Sequence, residues 1–367
     1  MSETAVQVLP PTVLSTIQEL RSARRTETLT TRLQSNDPSF THMKLTRRIA
    51  VIFDDFNQFL IALKANKTVK VVELRWRFLS MLDEPSRVEL MKCIGGLPAL
   101  NKLYIEAIGP CNALTEALSN ATNLSGLWVG SLRVSSNRDV QNLAEVIRTN
   151  RSLYQVSISN LKIPVRGRHR VDEEGMVWFQ ENEQDETNEK LDLNPLMEAL
   201  SSVPTLKKLQ MELQINPEKM TRLSERSIRL LCQQPRAYLM VNACALDDGH
   251  CAALSEELES SRSVLEDLMI SQNLGITSNG WELLATMTES NYYLTGLYTP
   301  SNPALAPSPY VRAKMDFYLR LNRAGRKKLL SDPSTSFSDW IDFIDENDSD
   351  ISIVYYVLQM ALDIFVN

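Results

Sequence analysis

The sequence predicts an α/β solenoid, in which short parallel strands alternate with helices. Two observations carry this prediction. The apolar pattern LxxLxL recurs along the chain, each time after an amphipathic helical stretch. From residue 206 onward, the first positions of successive copies fall 30, 29 and 29 residues apart. A regular period of this length is typical of repeat architectures, because each unit buries its apolar face only by stacking on its neighbours.

The copies of the pattern define the predicted strands. Their apolar side chains point into the core, because successive residues of a strand face opposite sides of the sheet. A single copy would indicate no more than an amphipathic segment, whereas eight copies in register indicate a solenoid. In chain order they are Val69-Val72-Leu74, Leu100-Leu103-Ile105, Leu124-Leu127-Val129, Leu153-Val156-Ile158, Leu206-Leu209-Met211, the degenerate Arg236-Leu239-Val241, Leu265-Leu268-Ile270 and the half-matched Leu294-Leu297.

The segments between the strands are predicted to be helices. Each carries apolar residues three or four positions apart, which places them in one stripe on one side of a helix. We predict such helices over residues 53–65, 139–149, 250–260 and 280–290. They would pack their stripes against one face of the sheet.

Two copies keep a longer frame beyond the strand. The copy that begins at Leu265 continues to Asn273, and the copy that begins at Arg236 continues to Cys244. An Asn or Cys side chain here can satisfy backbone groups that are exposed where the chain turns from strand to helix. This alternation resembles the ribonuclease-inhibitor class of leucine-rich repeat proteins over about residues 50–300. The resemblance implies a horseshoe, with a parallel β-sheet on the concave face and helices on the convex face.

The repeats are expected to occupy residues 49–302, with a different segment at each end. Residues 1–48 are rich in Thr, Ser and Arg and predict a flexible tail with one short helix. Pro303, Pro307 and Pro309 interrupt the repeat, and helices are predicted over 310–323, 337–345 and 352–365. A solenoid exposes an apolar end that must be covered, so we expect residues 303–367 to form a helical C-terminal cap.

An insertion at residues 160–193 separates the fourth strand from its helix. It contains Arg166, Arg168 and Arg170, then a turn with Gly175, then Trp178 within an apolar run and an acidic stretch. This order predicts a hairpin. Long surface loops often carry function, so the three arginines and Trp178 are candidate binding residues. The alternative is a solvated charged loop.

A partner is expected on the strand residues that alternate with the core positions and face outward on the concave sheet. Among these, Tyr104, Trp128, Tyr238 and Tyr298 are the residue type that carries binding energy at interfaces. The alternative is that these rings only pack laterally on neighbouring strands. The full predicted surface is Glu73, Arg75, Lys102, Tyr104, Glu106, Trp128, Gln155, Lys208, Gln210, Tyr238, Met240, Asp267, Met269 and Tyr298.

The composition argues against several other functions. A net charge of −6 without an evident basic face disfavours nucleic-acid binding. The five cysteines include no CxxC pair and the three histidines are scattered, so neither a disulfide framework nor a metal site is predicted. His250 and Cys251 are adjacent on a predicted helix and point about 100° apart, which disfavours a nucleophilic pair. We expect no cofactor and no catalysis.

The predicted function is a protein-interaction scaffold that acts as a monomer in the cytoplasm or nucleus, without a membrane or nucleic-acid partner. No secretory signal and no apolar run of about 20 residues is evident. Two alternatives stay open. Leu9, Pro10, Val13, Leu14 and Ile17 faintly resemble the opening of an F-box, which would imply a substrate receptor of a ubiquitin ligase. Repeats of this class also build the activator of the nuclear transport GTPase Ran, which would imply a GTPase-regulating protein.

Overall fold

A computed structural model describes residues 29–46, 56–108, 111–162, 167–171, 177–181, 190–215, 218–259, 263–326, 337–347 and 349–360. The chain divides into two compact units, Met1–Thr187 and Asn188–Asn367. Each unit contains parallel strands that alternate with helices, as the α/β solenoid prediction requires. The F-box-like residues from Leu9 to Ile17 lie outside the described part of the chain.

The first unit contains a five-stranded parallel sheet in the order β1-β2-β3-β4-β6. Short strands β5 and β7 pair with each other beside it, and β8 and β9 form an antiparallel hairpin. Its elements are α1 (residues 29–34), β1 (His42–Leu45), α2 (Phe56–Ala65), β2 (Val71–Leu74), α3 (Trp76–Leu79), α4 (Glu84–Gly95), β3 (Lys102–Ile105), α5 (Cys111–Asn120), β4 (Gly126–Val129), β5 (Leu132–Arg133), α6 (Asn137–Thr149), β6 (Gln155–Ser159), β7 (Leu161–Lys162), β8 (Gly167–Val171) and β9 (Val177–Glu181).

The second unit contains a four-stranded parallel sheet in the order β10-β11-β12-β13. Helices separate these strands, and three further helices follow the last one among the described residues. Its elements are α7 (Asn194–Ser202), β10 (Lys208–Glu212), α8 (Glu225–Gln233), β11 (Tyr238–Asn242), α9 (Asp248–Glu259), β12 (Asp267–Met269), α10 (Ser278–Ser290), β13 (Gly296–Tyr298), α11 (Pro309–Arg323), α12 (Phe337–Glu346) and α13 (Ile351–Met360).

All eight predicted copies of the pattern coincide with strands, and their apolar positions form the core. The middle position is fully buried from Val72 in β2 to Leu268 in β12, whereas Leu297 in β13 is only half-buried. The degenerate copy places Arg236 where the others have an apolar residue. Its guanidinium is buried and donates from Nη2 to the carbonyl of Leu200 at 2.7 Å. Arg236 thus joins two repeats through a hydrogen bond instead of apolar packing.

The structure extends the sheet into the segment that the sequence assigned to a flexible tail, residues 1–48. Strand β1 pairs in parallel with β2, and Met43 and Leu45 are buried. Phe40, Met43 and Leu45 take the three positions of the pattern, but only one of them is leucine. The prediction missed this copy because methionine and phenylalanine fill the same space while weakening the sequence signal.

The hairpin predicted within the 160–193 insertion is present. Strands β8 and β9 pair in antiparallel register, with Arg168 opposite Gln180 and Arg170 opposite Trp178. Arg166 lies outside the described residues. The backbone therefore forms the predicted hairpin, whereas its role in binding stays a prediction.

The Asn residue after strand β12 has the role that the sequence predicted for it. Asn273 is buried, and its Oδ1 accepts from the backbone N–H groups of Cys244 and Leu246 at 2.8 and 3.2 Å. Its Nδ2 donates to the carbonyls of Val241 and Ile270, each at 2.8 Å. One side chain therefore satisfies four backbone groups in two consecutive repeats, where unpaired buried groups would be costly.

A second hydrogen-bonding role of buried asparagines was not predicted from the sequence. Asn66, Asn150 and Asn291 each lie three residues before the first apolar position of a copy. In each case Oδ1 accepts from the backbone N–H groups two and three residues later. Nδ2 donates to a carbonyl in the preceding repeat. We call these three residues the asparagine clamps, because they join the entrance of a strand to the neighbouring repeat.

Candidate partner-binding surface

Strand register in the first unit brings the predicted binding residues into rows that cross the sheet. The central row runs from Lys44 through Glu73, Tyr104 and Trp128 to Ser157, one residue from each strand. Their side chains share the outward face, because the residues on either side of each one belong to the core. The structure thus assembles the predicted residues of β2, β3 and β4 on one surface.

The centre of this row is an aromatic pair. The rings of Tyr104 and Trp128 are stacked, with centroids 4.2 Å apart and planes inclined by 11°. Both side chains are half-buried. The lateral packing considered as an alternative is therefore real, but it leaves part of both rings at the surface. The pair forms one flat aromatic platform instead of two separate rings.

Gly126 allows the platform to lie close to the sheet. A Cβ at this position would collide with the six-membered ring of Trp128, so the indole lies directly over the glycine. Gly130, on the other side of Trp128, has a different role. A Cβ there would meet the backbone carbonyl of Glu106, which immediately follows the neighbouring strand. Gly126 therefore positions the indole, whereas Gly130 permits close approach of two chain segments.

Glu73 is the centre of a charged cluster at one end of the central row. Its carboxylate lies 2.8 Å from Lys44 Nζ and 3.0 Å from His42 Nε2. The hydrogen bond from Lys44 is the main cause that holds the pKa of Glu73 below its ordinary value. Most of the charge of Glu73 is thus engaged within the protein, which lowers its availability to a partner.

Trp76 is a surface residue that was not predicted from the sequence. It lies beside Arg75 and Glu106, which immediately follow strands β2 and β3. Trp76 begins helix α3 and its side chain is 51% exposed. The backbone N–H of Trp76 donates to Glu106 Oε2 at 3.0 Å, and Arg75 Nη1 lies 4.0 Å from the same oxygen. Trp76 was missed because it follows the pattern instead of alternating within it. Its position directly after the outward-facing Arg75 was the available signal.

The remaining predicted residues of this unit flank the platform. Lys102 is exposed, and its Cγ lies 3.5 Å from where a Cβ at Gly126 would be, on the side over which the indole lies. Gln155 is half-buried on strand β6 and pairs in register with Gly126. A cation and an amide therefore border the aromatic platform.

In the second unit, register arranges the predicted residues into two rows. The first row joins Lys208, Tyr238, Asp267 and Gly296, and the second joins Gln210, Met240, Met269 and Tyr298. All eight residues alternate with core positions on their strands. Methionine side chains are flexible and polarisable, so the second row is a soft apolar surface.

Two tyrosines define the chemistry of these rows. Tyr298 is 47% exposed, and its ring lies close to where a Cβ at Gly296 would be, so the Gly-Leu-aromatic arrangement of β4 recurs in β13. Tyr238 is half-buried, and burial raises the pKa of its hydroxyl. Its hydroxyl lies 3.7 Å from Met240 Sδ. Tyr298 is thus the more accessible of the two rings.

The His250–Cys251 neighbourhood is packed as part of the repeat. His250 is buried, with Nδ1 2.6 Å from Asp247 Oδ1 and Nε2 2.7 Å from the carbonyl of Leu223. Both ring nitrogens are engaged by groups other than Cys251. Burial, with Asp248 and Asp247 nearby, raises the pKa of the Cys251 thiol to about 12. This arrangement does not activate the thiol.

The described part of the chain contains no candidate metal site and no candidate membrane span. No group of three or more His, Cys, Asp or Glu side chains there is arranged to hold a metal ion. Within the same residues, no helix has the length and apolar character needed to cross a membrane.

No protein-family model and no curated protein sequence matches the chain. Among solved structures, one similar chain is described as Leiomodin-1 Actin-Binding Site 2 (ABS2), at 13% identity and a TM-score of 0.26. The match covers 55% of this chain and 84% of that chain. A TM-score this low carries no argument about fold or partner.

Proposed function

We propose that this chain is a non-catalytic interaction protein that binds a protein partner through the outward faces of its parallel strands. More specifically, we propose that the chain is a leucine-rich repeat horseshoe of the ribonuclease-inhibitor-like class. The outward faces of its strands would then form the concave surface. Asn273 and Cys244 are both buried and occupy the equivalent position after the strand in two consecutive repeats. This alternation of Asn and Cys supports that class.

The observation that carries the proposal is the stacked pair of Tyr104 and Trp128. Large aromatic side chains contribute most binding energy when a partner covers them, often about 2 kcal/mol or more each. Stacking also limits the rotamers of both rings before binding, which reduces the entropy lost on association. A preorganised and partly exposed aromatic platform on a mostly polar face is therefore suited to anchor a partner.

The second unit offers a complementary kind of surface. Met240, Met269 and Tyr298 are neighbours in one row, and none of them is fully buried. Apolar rows of this kind accept aliphatic or aromatic side chains and adapt to their shape. We propose that this row contributes to partner binding, with Lys208, Gln210 and Asp267 as its polar border.

Helices α11 to α13 act in this proposal as the cap of the last repeat. Asn322 Nδ2 donates to the carbonyls of Asn291 and Leu294, at 2.9 and 2.7 Å. Arg326 is buried and donates to the carbonyls of Thr288 and Asn291. These contacts satisfy backbone acceptors that a further repeat would otherwise satisfy, as capping requires.

Quantitative affinity capture tests the proposal. The full chain, its Tyr104→Ala/Trp128→Ala variant and an Ile61→Ala/Tyr154→Ala control would be used to capture proteins from the same cell lysate. Ile61 and Tyr154 are exposed and lie outside the outward strand positions, so the control removes surface apolar area elsewhere. We expect a set of proteins retained by the wild type and the control but lost with the platform variant. An identical set with all three would contradict the proposal.

A further inference from the structure

The edge of the first sheet where strands β2 and β3 end carries a cationic surface around an exposed indole. Arg75 and Arg77 flank Trp76, and both are exposed. Arg133 is also exposed, and its backbone N–H donates to the carbonyl of Ile108, three residues after strand β3. We call these four residues the Trp76 edge. The sequence pattern placed only Arg75 on the predicted surface, because Trp76, Arg77 and Arg133 lie outside the repeated strand positions.

The positive charge of this surface is only partly neutralised. Within the described residues, Arg77, Arg133 and Lys102 have no carboxylate within ion-pair distance, and Arg75 reaches Glu73 and Glu106 only at 3.8 and 4.0 Å. Lys44 already occupies Glu73 at 2.8 Å. In the first unit, the outward face and this edge therefore hold five cations, Lys44, Arg75, Arg77, Lys102 and Arg133, against the two carboxylates Glu73 and Glu106.

This excess stands out because the whole chain carries a net charge of −6. A segregated surface of opposite sign steers association with a partner of complementary charge. Guanidinium groups beside an indole fit a segment that presents carboxylates near an apolar side chain, since arginine binds carboxylates through paired hydrogen bonds. A nucleic acid fits less well, because Glu73 and Glu106 would face its phosphates.

We propose that the Trp76 edge binds an acidic segment of the protein partner, with its carboxylates on Arg75 and Arg77 and an apolar side chain on Trp76. This inference rests on the proposed function and specifies the chemistry of the partner. The stacked Tyr104–Trp128 platform and Lys102 lie on the same outward face and extend the contact across strands β3 and β4.

Selection from a phage-displayed library of random twelve-residue peptides tests this proposal with the full chain immobilised. We expect the pool retained by the wild type to be enriched in Asp and Glu together with an aromatic or aliphatic residue. The Arg75→Glu/Arg77→Glu variant should lose that enrichment, and Arg75→Gln/Arg77→Gln provides a variant without new repulsion. The control Lys92→Glu/Arg138→Glu makes the same change of charge on exposed positions of helices α4 and α6.

A selected acidic peptide then allows a quantitative test by fluorescence anisotropy. We expect its affinity to fall at least about tenfold with either arginine variant, roughly tenfold with Trp76→Ala, and little with the control. Raising salt from 0.1 to 0.5 M should also weaken binding, since the charges are at the surface. The outcomes that would overturn the proposal are a retained pool without acidic bias, unchanged binding by both arginine variants, or tighter binding of a 20-nucleotide oligouridine.

The failure of this inference and the failure of the proposed function give different results. A peptide pool that is enriched over the bare matrix and lost with Tyr104→Ala/Trp128→Ala, but that has no acidic bias, contradicts the acidic partner alone. A wild-type chain that enriches no peptides over the bare matrix contradicts both.

Discussion

Tyr104 and Trp128 lie directly opposite each other on neighbouring parallel strands, and their rings stack at 4.2 Å. This relationship couples the two residues that carry the proposed function. It also makes them part of the stability of the sheet, so binding and folding must be measured separately in variants of this pair.

A double-mutant cycle should detect the coupling. Aromatic pairs of this geometry contribute about 0.5–1.5 kcal/mol beyond the area that they bury. We therefore expect Tyr104→Ala and Trp128→Ala to be non-additive by that amount in the free energy of unfolding, measured by urea denaturation. Strict additivity within about 0.3 kcal/mol would show that the two rings do not support each other.

Gly126→Ala should displace the indole of Trp128 from the sheet. The added methyl would collide with the ring, so the side chain must rotate and the stack with Tyr104 must loosen. In protein labelled with 5-fluorotryptophan, we expect one of the five ¹⁹F resonances to shift. Gly96→Ala is the control, because a Cβ there meets only atoms at 3.5 Å. Unchanged spectra for Gly126→Ala would contradict the placement of the indole.

The asparagine clamps should be among the more sensitive polar positions of the fold. Asn150→Ala removes three accepted hydrogen bonds and one donated hydrogen bond at a buried site, so we expect a loss of about 2–3 kcal/mol in unfolding free energy. Asn123→Ala removes one exposed hydrogen bond to Pro98 and should cost roughly 0.5 kcal/mol or less. Equal effects of the two substitutions would refute the clamp interpretation.

Replacing either of two alanines after strand β11 with glycine should stabilise the protein. Ala243 and Ala245 have φ angles of 49° and 55°, in the left-handed region where a Cβ is unfavourable. We expect each Ala→Gly substitution to raise the free energy of unfolding by about 1 kcal/mol. Ala252→Gly within helix α9 should instead lower it by about 1 kcal/mol. A destabilising effect at both turn positions would argue against their backbone geometry.

The five cysteines should be unreactive in the folded protein at pH 8. Burial raises the pKa of Cys93 to about 11 and those of Cys111, Cys232, Cys244 and Cys251 to about 12. Because the thiolate is the reactive form, roughly one thiol in a thousand or fewer is reactive at that pH. We expect Ellman's reagent to titrate no cysteine rapidly without denaturant and all five in urea. The slow reaction should accelerate as the pH rises toward 11.

The sequence was sufficient to predict the repeating elements, because leucine-type residues mark where each strand lies and which of its faces is buried. It was insufficient at β1, where Phe40 and Met43 replace leucine, and at the asparagine clamps, which lie outside the pattern. The candidate surface was only partly predictable. Alternation along one strand identifies Trp128 as outward-facing, but its contact with Tyr104 depends on the register between strands, which are far apart in sequence.

Site-specific photo-crosslinking tests the central claim most directly. p-Benzoylphenylalanine would replace Ser157, which lies next to Trp128 in the central row, so that the aromatic platform stays intact. The same residue at Ile61, exposed on helix α2, is the control. On irradiation of the full chain in cells, we expect a discrete covalent adduct with a protein partner from position 157 and none from position 61. Adducts from position 61 without any from position 157 would contradict binding through the outward strand face.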